Sequence, residues 1–291
     1  MTETTVMTET TGKAAMAETT ATTTEPRARF GDLVAAEWLK MRSLRSTSWS
    51  LLIAGLAVVG INVGTAYDTY HYWTDEGPAG RARYIRDGIP LQEAFTANSS
   101  LVLVLASGAV GALFLVAEFR TGLIRTTFAA VPARRPLMAA KLLVTAAVMT
   151  VFGAVVAGGS FWLTQAILAG RGIGVSIGHP GAWSLVVASA LLAPVSALVG
   201  MALGALLRQS GTTLVALFVL MLLLPVALSD DRHLTAVVGH AMPYKAWLFF
   251  AEPGRPDVLF PSTSTGAWLV LAIWPVAAAA VTVFGVERRD L

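Results

Sequence analysis

WSLLIAGLAVVGINVGTAY, from Trp49 to Tyr67, decides the fold class. It carries no charged side chain, and as a helix rising about 1.5 Å per residue it spans roughly the 30 Å of hydrocarbon in a bilayer. Five further apolar runs follow, at about 99–117, 139–163, 183–207, 212–229 and 266–285. The second and fifth are the shortest, and Pro225 is expected to kink or end the fifth. The six runs contain no Asp, Glu, Lys, Arg or His away from their ends. Only 13% of the 291 residues are charged and the mean hydropathy is +0.65. These features predict an all-α membrane protein with six transmembrane helices, forming one membrane domain over 29–291.

Assigning the stretches between the runs alternately to two sides gives an orientation. The side of the N-terminus holds fourteen lysines and arginines against seven opposite, while the acids divide nine and nine. Such a bias in the basic residues alone places both termini in the cytoplasm, in a multi-pass protein of the inner or plasma membrane. It also accounts for the basic pI without nucleic acid. Tyr67, Tyr70, Tyr72, Trp73, Trp162, Trp183 and Trp268 cluster where the outer interface falls.

Residues 1–28 are rich in Thr and Glu and lack large apolar groups, which predicts a disordered cytoplasmic tail rather than a signal peptide. From Phe30 to Met41, Phe30, Leu33, Val34, Trp38 and Met41 follow helical spacing, with Lys40 and Arg42 at the far end, the pattern of an interfacial amphipathic helix. Glu37 falls on its apolar side. It either snorkels toward water or meets an arginine of the 118–135 segment, with Arg120 as the candidate. Between the last two runs, 230–265 is apolar and proline-rich, which favours short helices over a solvated loop.

Motifs for catalysis are missing. There is no GxxxxGK[ST] or HExxH, no GxSxG around Ser160, and no cysteine for a thiolate site. Asp230, Asp231, His233 and His240 are the sole grouping that suggests a metal, and their spacing fits a loop better. The chain is therefore expected to be no enzyme by itself and to hold no cofactor or metal. Gly60 with Gly64, and Ser196 with Gly200 and Gly204, recur at helix-packing spacing, serving either the bundle or a subunit interface.

The most informative segment is EFRTGLIRTTFAAVPARR, Glu118 to Arg135. Gly122 and Pro132 bracket a helix of about ten residues with Leu123, Ile124, Thr127, Phe128 and Val131 on one face. On physical grounds it is either a basic loop on anionic lipid or a link that passes motion to the bundle. Together with Glu37-Trp38-x-Lys40-x-Arg42-Ser43, Lys141 and the closing Arg288-Arg289-Asp290, it resembles the bacterial ABC-2 type permease family from about Phe30 onward. The resemblance implies an exporter permease that works as a pair with a second copy or a paralogue. It would dock on a dimer of ABC ATPase subunits, which hold the ATP and Mg. Coupling would pass through Glu118, Arg120, Gly122, Arg125, Thr126, Thr127, Arg134 and Arg135.

Overall fold

The computed structural model describes residues 29–123, 134–252 and 259–287. The Thr/Glu-rich tail, most of the short helix expected after Gly122 (with Arg125, Thr126 and Thr127) and the closing Arg288–Asp290 lie outside these residues. The described residues are all-helical, with six helices long and apolar enough to cross a membrane.

The chain begins with α1 (Phe30–Ser43), whose first turn is closed by Asp32 accepting from the backbone N–H of Arg29. After a corner at Leu44 comes α2 (Arg45–Tyr72), then the short α3 (Pro78–Arg86) and α4 (Ile89–Gln92). The second and third spans are α5 (Ala97–Thr121) and α6 (Arg134–Ala169). The fourth is α7 (Ala182–Leu207). The fifth is divided into α8 (Ser210–Phe218), a π turn (Val219–Leu223) and α9 (Leu224–Ala227). Helices α10 (His233–His240) and α11 (Pro243–Ala251) lead to the last span, α12 (Ser264–Glu287). Helix continues past Pro225 only as far as Ala227, with a π turn before the proline and extended backbone at Leu228 after it. A wider turn just before the proline is the usual way to absorb its ring and missing N–H.

Helix α7 is the axis of the bundle, with 78% of its most apolar window buried against 22% for α12. Small residues bring its neighbours in. A Cβ on Gly200 would lie 2.1 Å from the Gly108 carbonyl oxygen of α5, and one on Gly111 would lie 2.0 Å from that of Ala197. On the other side, Gly153 of α6 meets the Ala190 carbonyl in the same way. Backbones this close gain dispersion and Cα–H···O contacts, the available forces where lipid removes the hydrophobic drive. Ser196 is buried in α7, and a Cβ on Gly204 would meet Val116 and Ala112. By contrast, a Cβ on Gly60 or Gly64 would meet nothing within 4 Å, so those two glycines pack against none of the described residues.

Buried polar side chains pin the spans together. Asn62 of α2 donates to Ser160 of α6 (3.0 Å) and accepts from both the N–H and the hydroxyl of Thr96 at the start of α5. Gln165 donates to the Pro90 carbonyl and accepts from the N–H of Val175, both at 2.8 Å. The 68–98 stretch is largely helical rather than an open loop, because α2 runs on to Tyr72 and α3 and α4 follow. In 230–265, Tyr244, Trp247 and Phe250 of α11 are buried, and the Trp247 indole donates to Ser189 of α7.

Candidate functional site

One face of α1, formed by Leu33, Glu37 and Met41 at a spacing of four, is buried. Met41 packs with Phe114 of α5 and Val144 of α6, which seats α1 where α5 ends and α6 begins. The seat brings four charges together. Glu37 of α1 is 3% exposed, Glu118 of α5 5%, and Lys141 of α6 is fully buried. The Lys141 ammonium donates to Glu37 and, at 2.8 Å, to Glu118. Lys40, half-buried on α1, donates to Glu118 and stands 3.6 Å from Glu37. Lys141 also lies 4.2 Å above the centre of the Phe114 ring, a cation–π contact on its remaining side.

Two carboxylates and two ammonium groups balance to zero, which lets the cluster leave water. The pairs are separated by 104, 78 and 23 positions in sequence, so three helices meet at one electrostatic point. Burial works against the charged form of Lys40, but the carboxylates of Glu118 and Glu37 outweigh it and hold its pKa above the ordinary 10.5. Removing one member of such a group leaves an uncompensated buried charge, at a cost of about 3–5 kcal/mol.

Both sequence expectations for Glu37 are corrected. It does not snorkel to water, and its partner is Lys141 rather than Arg120, which is exposed. Helix α6 starts at Arg134, so Lys141 lies about two turns inside it, on the same face as the buried Leu137, Met138 and Thr145. That face was the signal that identifies Lys141 as a cluster member. Phe114 has no comparable signal, since a phenylalanine in an apolar run looks like any other core residue.

The remaining expected residues spread around this cluster. Gly122 ends α5 in the left-handed region (φ 71°), where glycine avoids the Cβ clash. Arg134 is half-buried and Arg135 exposed on the first turn of α6, while Trp38 and Arg42 are exposed on α1. Arg208, also in the left-handed region at the end of α7, lies 4.9 Å over the ring of Phe119. Comparison with known proteins gives no match to a family model and none to a curated protein.

At the opposite end of the bundle, Lys245 of α11 donates to Asp230 (2.5 Å) and to the Leu228 carbonyl (2.6 Å), with His240 3.6 Å from the same carboxylate. The ammonium occupies the acid that a metal would need. Among the described residues no three His, Cys, Asp or Glu side chains are grouped to hold a metal ion.

Proposed function

We propose that this chain is the permease subunit of an ATP-driven exporter of the ABC-2 type. A pair of such subunits would form the path, and separate ATPase subunits holding ATP and Mg would drive it. The observation that carries the reading is the Glu37–Lys40–Glu118–Lys141 cluster. It ties both ends of the 118–135 segment, where α5 stops and α6 starts, to the amphipathic helix α1. A push on that segment is therefore delivered to α1, α5 and α6 at once, and α5 and α6 both pack on the axial α7. The basic residues of 118–135 would pair with acids or helix C-termini of the ATPase. Coupling requires that these contacts differ between the nucleotide states. The two-to-one distribution of lysine and arginine favours this end of the bundle as the cytoplasmic one, with both termini beside it.

A channel or ion-coupled transporter would require polar groups facing a path. Asn62 and Gln165, uncharged polar side chains within the spans, are instead bonded inside the chain, Asn62 to Ser160 and Thr96 and Gln165 to Pro90 and Val175. The exporter reading is tested by solubilising the chain with a C-terminal tag and assaying the eluate for a co-purified P-loop ATPase. The expected result is ATPase activity that is lost on deleting 122–132. A homo-oligomer without ATPase would overturn the reading. In the intact complex, Arg125→Glu is expected to leave insertion unchanged and to uncouple hydrolysis from transport, whereas unchanged transport would remove Arg125 from the mechanism.

A further inference from the structure

Where α2 ends at Tyr72 the chain folds back through α3, and the last turn of α2 and α3 enclose a pocket of about 590 Å³. Three acids line it, Asp68, Glu76 and Asp87, against one base, Arg83. The Arg83 guanidinium is 3.3 Å from Asp87, and Arg86 stands at the same distance from that carboxylate. Asp68 and Glu76 are exposed and enter no ion pair or hydrogen bond among the described residues. Arg81, next to the pocket, is held by the carbonyls of Trp73 and Thr74. The unpaired charge of the lining is therefore negative.

A second observation comes from behind the wall. Glu93 is only 6% exposed, and its carboxylate abuts two lining residues, Thr69 and Tyr84. One oxygen accepts from the Thr69 hydroxyl (2.6 Å); the other is buried without a hydrogen-bond partner, as is the Tyr84 hydroxyl. Burial, and Glu93 beside it, push the Tyr84 phenol up, so it stays protonated and able to donate. The charged group felt by Glu93 is another acid, Asp68. A carboxylate taken out of water needs a counter-charge, and the described residues supply none here.

The lining also defines what kind of cation fits. Tyr72, Trp73 and Tyr84 offer aromatic surface, which attracts ammonium groups. Ile89 is the sole aliphatic side chain among them, so the pocket has no track for an acyl chain. Among the described residues no three acids are grouped closely enough to ligate a metal ion. The volume is that of a small-molecule site.

We propose that this pocket binds a water-soluble organic cation, with its ammonium group beside Asp68 and Glu76 and its carbon skeleton against Tyr72 and Trp73. The site stands at the end of α2 opposite the coupling cluster. Binding there does not depend on the exporter reading, and failure of either leaves the other standing.

The test is calorimetric titration of the detergent-solubilised chain at low ionic strength with benzyltrimethylammonium, with uncharged benzyl alcohol, and with Ca²⁺. One benzyltrimethylammonium per chain is expected, with much weaker binding of the alcohol. Asp68→Asn, at an exposed and unpaired position, should weaken binding about threefold. Glu93→Gln keeps an acceptor for Thr69 but removes the buried charge, and should weaken it about tenfold. Asp75→Asn alters an exposed acid of the same turn that does not line the pocket, and should change nothing. Equal binding of the alcohol, displacement of the cation by Ca²⁺ at equal concentration, full binding by Glu93→Gln, or a loss with Asp75→Asn as large as with Asp68→Asn would each overturn the proposal.

Discussion

The two ends of the bundle both use lysine–carboxylate pairs, and they use them differently. At one end Lys141 and Lys40 join helices 23 to 104 residues apart, with three of the four groups buried. At the other, Lys245 reaches only 15 and 17 residues back, to Asp230 and Leu228, and the Asp230 side chain keeps some exposure. The distant pairs bind separate elements into one body. The local pair closes a connection between two spans. Only the first arrangement has the reach to pass a force from one helix to another.

The largest expected effect follows directly. Lys141→Met leaves two buried carboxylates to share Lys40 alone, one charge uncompensated, and should destabilise the solubilised chain by about 3–5 kcal/mol, read from its unfolding midpoint. Lys245→Met strands one partly exposed carboxylate and one carbonyl, for which about 1–3 kcal/mol is expected. Equal losses at the two ends would break the comparison. On the exporter reading proposed above, Lys245→Met should also leave the ratio of ATP hydrolysed to substrate moved unchanged, whereas variants of the Glu37–Lys40–Glu118–Lys141 cluster should raise it.

A double-mutant cycle sharpens the point. Glu37→Gln and Lys141→Met should be non-additive by about 1–3 kcal/mol, as expected for directly contacting charges. Glu37→Gln with Lys245→Met should add, because those residues belong to opposite ends. Additivity of the first pair would mean that the cluster is not one electrostatic unit.

The sequence made some of this legible. Charge-free runs of about 20 residues announce spans because the bilayer offers the backbone no other partner than itself, and all six runs coincide with helices of the structure. Glu37 on an apolar face and Glu118 at a span end were visible as oddities. Their common partner was harder to see, because a lysine two turns inside a helix resembles a positive flank when the helix start is placed five residues late. The small-residue series show the same limit. Gly60 and Gly64 share their spacing with Gly200 and Gly204, yet only the second pair meets another backbone. Spacing defines a face of a helix, and the neighbour it meets is a property of tertiary structure.

The smallest expected effect concerns pH. The folded-state pKa of Lys40 is raised, so the stability it contributes is complete below the ordinary lysine pKa and is lost as pH rises through the folded value. Docking of α1 should then be flat up to about pH 10 and weaken only above it. The chain has no cysteine, so Gly31→Cys, at an exposed site on α1 where a side chain meets nothing within 4 Å, accepts a single spin label. Its mobility should rise only in strong alkali. Glu118→Gln removes the carboxylate that most favours the ammonium, and should move that rise to lower pH. A label that loosens near neutrality would require a titrating group other than Lys40 to hold α1, and the reach of this end of the bundle would then rest on something besides its lysines.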